Sequence, residues 1–505
     1  MSKAPKPPAK PPLIDRAISA VAPQWGLRRA LARNALDVMA GVHESTRRNR
    51  SRRIARDGGS GNAIVGQDAK TLRDQARHLE RDLDIARGAL NVLVQNIVGS
   101  GIDVEPAPRL PGQAVNEELA VQLDELYVDW WERPEVTHRH DAGRMQQLLC
   151  RSWLRDGEAL FQHVQGYSGG LNHGSVVPYS VEMIEADLLP LDYSDTSRNI
   201  TQGIEVSDWG RAQAYHLLKR HPADVQSYGA MRETKRVPAD RIGHVALTDR
   251  IGQLRGLSIF ASVIARLEDI KDYEDSERIA AKVAASLTAY IKKGAPADYG
   301  DAASALLTPG DERQYRDMRM VPGLVMDDLL PGEEIGLIDS KRPNPNAAGF
   351  REGQLRAASR GMSVTFSALA GNYNGTYSAQ RQELIEQWAA YAVLGEWYIA
   401  EVVRPQWRRF VESAFMAGLI KLPRGWTDLR YLATASFVRP AMPWINPMHE
   451  AQALALQEDR LWMPTTEIIR RRGGDPRDTL QQQAAWLARR DAAGLTPRTP
   501  TEGNA

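Results

Sequence analysis

Apolar residues recur at helical spacing from Lys70 to Val98, through Leu72, Ala76, Leu79, Leu83, Ala86, Leu90, Leu93 and Ile97. Gly99-Ser100-Gly101 ends the run, so the pattern predicts one long helix. A short strand is expected at Ile102–Val104, then helices over Asn116–Trp131 and Gly143–Asp156. Beyond residue 158 the apolar period shortens to two. Strands are predicted at Ala159–Gln165, Val177–Ile184, Ile204–Val206, Ala212–Leu218 and Arg241–Ala246, with Ser207-Asp208-Trp209-Gly210 as a hairpin turn.

Helical spacing returns over Ile259–Ile291, the longest uninterrupted stretch. Phe260, Val263, Ile264, Leu267, Ile270, Ile279, Val283 and Leu287 mark most of one face. The middle of this helix is acidic, with Glu268, Asp269, Asp272, Glu274, Asp275 and Glu277 against Lys271 and Arg278. Residues 294–345, rich in Gly, Pro and Asp, predict a small α/β insertion closed by Pro343-Asn344-Pro345. A helix from Phe350 to Gly361 follows, then a loop rich in Gly, Asn and Tyr. A second helix opens at Ser378 and runs through Trp388, Tyr391, Trp397 and Val402 until Pro405 kinks or restarts it. Past Pro440, helices are expected at Met448–Arg460, Thr465–Arg472 and Thr479–Ala493, with a frayed tail beyond Gly494. The fold class is α+β, mainly helical, and 505 residues allow two or more domains.

The net charge of +1 excludes a polycation that coats nucleic acid along its whole length. Charge is nevertheless uneven. Arg47, Arg48, Arg50, Arg52, Arg53 and Arg56 crowd a stretch that runs into Asp57-Gly58-Gly59-Ser60-Gly61, and Arg470, Arg471 and Arg472 form a second run. The first cluster fits a nucleic-acid or acidic-partner contact and an unstructured surface equally well. The N-terminal MSKAPKPPAKPP predicts a basic extended arm without the apolar centre of a signal peptide, and Ile14–Val21 and Leu27–Met39 are short amphipathic pieces behind it. Cys150 is the one cysteine, which rules out an internal disulfide framework and fits a small buried residue in a reducing compartment. No apolar run is long enough for a membrane span, so a soluble protein made in a cytoplasm is expected.

Catalytic motifs are sparse. Gly61-Asn-Ala-Ile-Val-Gly66 has the glycine spacing of a phosphate loop, but Gln67 stands where the chemistry needs lysine, and no strand precedes it. His138-Arg139-His140-Asp141 fits a polar loop better than a zinc site. Glu182, Glu185 and Asp187 suggest nuclease carboxylates only at first sight; an edge-strand solvent face accounts for them more simply. Trp130-Trp131 and the stripe Trp388, Tyr391, Trp397 suit core or subunit packing better than base stacking. No cofactor, metal or catalytic residue is expected.

Several blocks in fixed order resemble the lambda-type portal proteins of tailed bacteriophages. They are Ala86–Gly101, Asp156-Gly157-Glu158, Glu182–Leu188, Gly203–Tyr215, Val237–His244, Gln253-Leu254-Arg255-Gly256-Leu257-Ser258, Phe350–Trp388, Pro443-Trp444-Ile445-Asn446-Pro447 and Arg472-Gly473-Gly474-Asp475-Pro476. Thr376 departs from the Asn usual in that family. The resemblance implies a portal fold with wing, long stem helices, small α/β clip and helical crown. Its implied divisions are a basic arm at 1–60, wing at 61–257, first stem helix at 258–292 and clip at 293–345. Second stem helix at 346–367, tunnel loop at 368–378, tunnel and wing helices at 379–439, and crown and tail at 440–505 complete it. It further implies a ring homo-oligomer, usually dodecameric, at one capsid vertex of the virion, assembled in the host cytoplasm. Double-stranded DNA would pass through it during packaging and ejection. The large terminase subunit and head–tail connector would dock on it, and scaffold and major capsid protein would surround it.

DNA carries a phosphate about every 1.7 Å of axis, so a basic wall would grip it. The acids Glu268, Asp269, Asp272 and Asp275, repeated around a ring, would give a weakly binding wall. Neutral donors at Asn372, Tyr373, Asn374, Thr376 and Tyr377 would touch phosphates transiently, with Gly371 and Gly375 lending freedom. The alternatives are another virion head protein, such as a scaffold or adaptor, and a terminase-like nuclease or ATPase.

Overall fold

The computed structural model describes residues 59–167, 170–224, 233–286, 290–293, 333–336, 346–442, 446–472 and 474–494. The arginine cluster Arg47–Arg56, the N-terminal arm, nearly all of 294–345 including Pro343-Asn344-Pro345, the segment Pro443-Trp444-Ile445, Gly473 and the tail beyond Gly494 lie outside the described residues.

The first predicted helix is two, α1 (Gly61–Asp82) and α2 (Asp84–Ile97). Leu83 between them is extended, and the Asp84 carboxylate accepts a hydrogen bond from the amide of Ile85, the local alternative that acids offer a helical backbone. Helix α1 starts at Gly61, ahead of its apolar repeat, because Asn62 is clasped from afar. Its side chain donates to the carbonyl of Gly252 and accepts from the amide of Leu254. Strand β1 (Asp103–Pro106) and helices α3 (Glu117–Glu132) and α4 (Ala142–Asp156) follow, α3 and α4 opened by the caps Asn116 and Asp141.

Strands β2 (Glu158–Gln165) and β3 (Tyr179–Ile184) are antiparallel neighbours. A second sheet holds β4 (Ile200–Thr201), β5 (Ile204–Val206), β6 (Ala212–Leu218) and β7 (Thr234–Pro238) in sequence order, and β8 (Ile242–Ala246) returns to pair with β2. The predicted turn Ser207–Gly210 joins β5 to β6, with Gly210 at φ 76°. The short strands β4 and β7 escape the alternation rule: one is two residues long, the other is Lys- and Arg-bearing at an edge.

Helix α5 (Ile264–Ser286) is shorter than its sequence signal. Ile291 lies instead in β9 (Tyr290–Lys293), paired antiparallel with β10 (Glu333–Gly336). Aromatic and β-branched Tyr290-Ile291 accept either state locally, and the distant partner strand decides. Ile279 also departs from expectation: it is exposed, whereas Ile264, Leu267 and Ile270 are buried. Leu287 and the Val283 side chain lie outside the described residues.

Helix α6 (Ala347–Gly361) leads into a short α7 (Phe366–Ala370), then α8 (Tyr377–Tyr398). A π-turn at Ile399–Val403 joins α8 to α9 (Arg404–Met416), and Pro405 sits in the first turn of α9. Proline cannot donate to the preceding turn, so it restarts the hydrogen-bond ladder rather than ending the rod. Strand β11 (Ala435–Val438) pairs with β1. Helices α10 (Pro447–Asp459), α11 (Thr465–Arg471) and α12 (Pro476–Ala492) complete the described chain.

The main core joins α1–α4, the roots of α5 and α6, α8, α9 and the sheet of β2 and β3. Trp130 is buried, donates to the Tyr179 carbonyl, and stacks with Tyr127 and Tyr179. Tyr391 is also buried, and Trp397 meets Trp153 edge-on. These aromatics are packing groups. Cys150 is fully buried, which pushes its thiol up out of the reactive range. A smaller core of Leu160, Leu189, Ile204, Tyr215 and Val237 lies between the two larger sheets. Among the described residues no helix is long and apolar enough to cross a membrane.

Candidate functional site

The acidic helix α5 has two halves. Its root is set in the main core through Ile264, Leu267 and Ile270. Its outer half runs antiparallel to α6, since Arg266 bonds Gln354 at 2.6 Å while Tyr273, further along α5, meets the ring of Phe350 at 4.9 Å. Glu274 forms an ion pair with Arg351 on α6, and Asp275 pairs with Arg278 on its own helix at 2.6 Å. The α5–α6 pair leads to the small sheet of β9 and β10.

The four acids singled out from the sequence are therefore not equivalent. Asp275 is partly neutralised by Arg278. Glu268 and Asp272 line a cleft of about 210 Å³ with His78, Asp82 and Lys271, so this part of the helix faces the end of α1. Asp269 and Asp272 are exposed, on an arc shared with Ala265, Ser276 and Ile279. Of the four, Asp269 alone is exposed with neither an ion pair among the described residues nor a place in that cleft. The packing of α1 sets Glu268 and Asp272 apart, which helical spacing does not show, whereas the Asp275–Arg278 pair follows from three-residue spacing on one helix.

What fixes the root of α5 is a buried ion cluster that sequence reading missed. Glu158, at the start of β2, accepts from Arg255 at 2.7 and 2.5 Å and from Arg73 at 2.7 Å, and lies 3.1 Å from His244. Burial alone would raise the Glu158 carboxyl; the charge of Arg255, with His244 and Arg73, outweighs it and holds the carboxyl well below its usual range. Arg255 also donates to the carbonyls of Gln202 and Leu189, so its fork is filled. Beside it Arg77 bridges Asp156 and Asp187.

The backbone is as close as the charges. Gly157 has φ +88°, and a Cβ there would lie 2.4 Å from the Leu257 carbonyl carbon; one on Gly256 would lie 1.9 Å from the Gly157 oxygen. Only glycine permits this approach. The amide of Ile259 then bonds the Leu154 carbonyl, and Ser258 accepts from Phe260, so the chain enters α5 on a fixed course. Charged residues beside glycine in Asp156-Gly157-Glu158 and Arg255-Gly256 were the available sequence signal.

The polar loop is shorter and more ordered than the sequence suggested. Ala368–Ala370 belong to α7 and Tyr377-Ser378 to α8, which leaves Gly371–Thr376 as the connection. Gly371, at φ +61°, terminates α7 rather than supplying freedom to move. Asn372 accepts from the amide of Asn374 at 3.0 Å, and Gln380 donates to the Tyr373 carbonyl. Thr376 is the N-cap of α8, its hydroxyl accepting from the Ala379 amide, so it serves the helix before any ligand. Ser367 donates to Glu383 at 2.5 Å and ties α7 to α8. Residues 371–379 are all exposed, Tyr373 and Tyr377 among them. No charged residue occurs from Gly361 to Gln380.

The remaining candidates resolve into structure. The glycines Gly61 and Gly66 lie within helix α1 and form no loop. Asp141 caps α4, and His138 bonds the Asn172 carbonyl. Glu182 is exposed on β3, an edge strand. Glu185, Asp187 and His221 bring ligand atoms within 4.8 Å of one another, but Asp187 is held by Arg77 at 2.5 Å and faces Arg73 at 3.6 Å, a setting that opposes a cation.

A family model described as phage portal protein, lambda family, matches residues 46–394. The probable portal protein of Halomonas phage phiHAP-1 is 24% identical over 466 residues, covering 89% of this chain and 86% of that protein. Portal protein B of Escherichia phage lambda is 21% identical over 330 residues, 60% of each chain. Among solved structures, one from the neck of a native GTA particle covers 78% of this chain and 88% of its own, at 12% identity and a TM-score of 0.39. An HK97 family phage portal protein from Corynebacterium diphtheriae covers 66% and 86%, at 11% identity and a TM-score of 0.26. The family match runs from ahead of α1 into α8, well over half of the sequence, and takes in the ion cluster, the α5–α6 pair and the polar loop: this chain belongs to the lambda family of phage portal proteins.

Proposed function

We propose that copies of this portal protein close into a ring, a dodecamer, at one vertex of the phage capsid, and that double-stranded DNA passes through its bore during packaging and ejection. The subunit conducts DNA and has no catalysis or cofactor of its own. The α5–α6 pair forms the stem, the segment carrying β9 and β10 forms the clip, and α10–α12 belong to the crown. The clip receives the large terminase subunit and later the head–tail connector. Scaffold and major capsid protein contact the outside.

The observation that carries this reading is the uncharged, exposed connection between α7 and α8. Without Lys or Arg from Gly361 to Gln380, it can touch phosphate through the Asn372 and Asn374 amides and the Tyr373 and Tyr377 hydroxyls. It then incurs none of the counterion-release affinity that would hold DNA in place. Because the loop is capped at both ends, each copy would present those donors at a fixed height. The exposed Asp269 and Asp272 keep the wall below it mildly repulsive.

Electron microscopy of the purified protein should show annuli with an open centre, and a particle mass should report the copy number. In a DNA-packaging assay, N372K/N374K should assemble normally, yet DNA translocation should slow and become salt-dependent. A monomeric wild-type protein, or a lysine variant that packages at the wild-type rate at low salt, refutes the reading.

A further inference from the structure

Helices α10 and α12 carry apolar residues that the other described residues leave exposed. Helix α10 has no buried residue, and residues 480–489 of α12 are exposed all round. Met448 is 71% and Leu456 52% exposed on α10; Leu480 is 71% and Leu487 42% exposed on α12. Most of a helix's stability in a protein comes from packing its apolar face, and clustered exposed apolar groups mark a contact surface. The base of this segment is nonetheless fixed. Arg470 forks onto Glu105 at 2.8 and 3.1 Å, and Arg477 reaches Glu117 at 2.7 Å and the Pro106 carbonyl at 2.6 Å.

The two faces match one another. On α10, Met448, Leu456 and Asp459 follow at intervals of eight and three residues; on α12, Leu480, Leu487 and Arg490 follow at seven and three. Each set lies on one side of its helix. Laid side by side in parallel, apolar meets apolar and Asp459 meets Arg490. Asp459 makes no ion pair with another described residue, and Arg490 pairs with its exposed neighbour Asp491 at 3.0 Å, an interaction of little worth. Like-with-like pairing would instead set Asp459 against Asp459 or Arg490 against Arg490.

We propose that α10 of one copy receives α12 of the next, with the Asp459–Arg490 pair fixing the register. The contact is head-to-tail, because each copy offers two different faces, and such contacts generate rings when the rotation closes. The proposal rests on the ring reading above and names one of its joints.

The test is a charge exchange read by sedimentation and electron microscopy of full-length protein. Asp459→Arg and Arg490→Asp, each alone, should raise the concentration needed for half-assembly by about tenfold or more, because like charges then face each other. An equal mixture of the two variants should recover assembly, since an alternating ring restores an opposite-charge pair at every joint. The double variant should recover it alone. Recovery on mixing also shows that the single variants are folded. Single variants that assemble like wild type, or a mixture that stays dispersed, overturn the α10–α12 joint while leaving the ring intact. A wild-type protein that never forms rings overturns the ring reading and this joint together.

Discussion

Glu158 and Asp269 are both carboxylates beside helix α5, and they do opposite things. Glu158 is fully buried, holds Arg255 and Arg73, and fixes where α5 begins. Asp269 is on the exposed side of the root of α5, with no ion pair among the described residues. A buried charge must be matched or it costs several kcal/mol; an exposed one is solvated, and only its long-range field matters. The molecule uses the first kind to place its helix pair and the second to set what that pair presents.

The sharpest way to break the comparison is Glu158→Gln. It leaves Arg255 and Arg73 buried without a counter-charge, and denaturant unfolding should show a loss of about 3–5 kcal/mol. An effect under about 1 kcal/mol would mean that the cluster is not the anchor.

Acid probes the same side of the comparison. Burial lowers the His163 imidazole to about 4, so its folded pKa lies below the ordinary value near 6.5. As pH falls below about 6.5, the unfolded chain takes up a proton that the folded chain refuses, and stability drops until about pH 4. From pH 7 to 5 the loss should be about 2 kcal/mol and should shrink in His163→Gln. Glu158, with its depressed carboxyl, contributes stability that is complete above the ordinary carboxylate range and lost only as pH falls below it. The two losses should therefore appear in order, histidine first. A flat stability between pH 7 and 5 would count against the buried imidazole.

The smallest effect on folding belongs to the exposed side. D269N/D272N should change stability by less than about 0.5 kcal/mol. Rings should form, but DNA should linger in the bore, read as slower translocation at low salt. If the variant instead unfolds, those acids belong with Glu158 and the contrast collapses.

Much of the fold is legible in local pattern, for local reasons. Asn116 and Asp141 announce the starts of α3 and α4 because a cap is a short-range bond. Strands β5 and β6 follow from alternation around a turn that needs Gly210. The polar loop between Gly361 and Gln380 stands out in composition alone, although its caps at Gly371 and Thr376 turn what looked like freedom into a defined turn.

By itself, then, the sequence determined the helical and two-residue periods, the caps and turns, the uncharged loop, and an order of motifs that points to a portal. Each of these depends on neighbours a few positions apart. Only the tertiary structure decided that Glu158 meets Arg255, that Ile291 joins a strand, and that two of the six acids on α5 remain exposed. Those outcomes turn on segments far apart in the chain, where a charge or an apolar face takes its meaning from what folds against it.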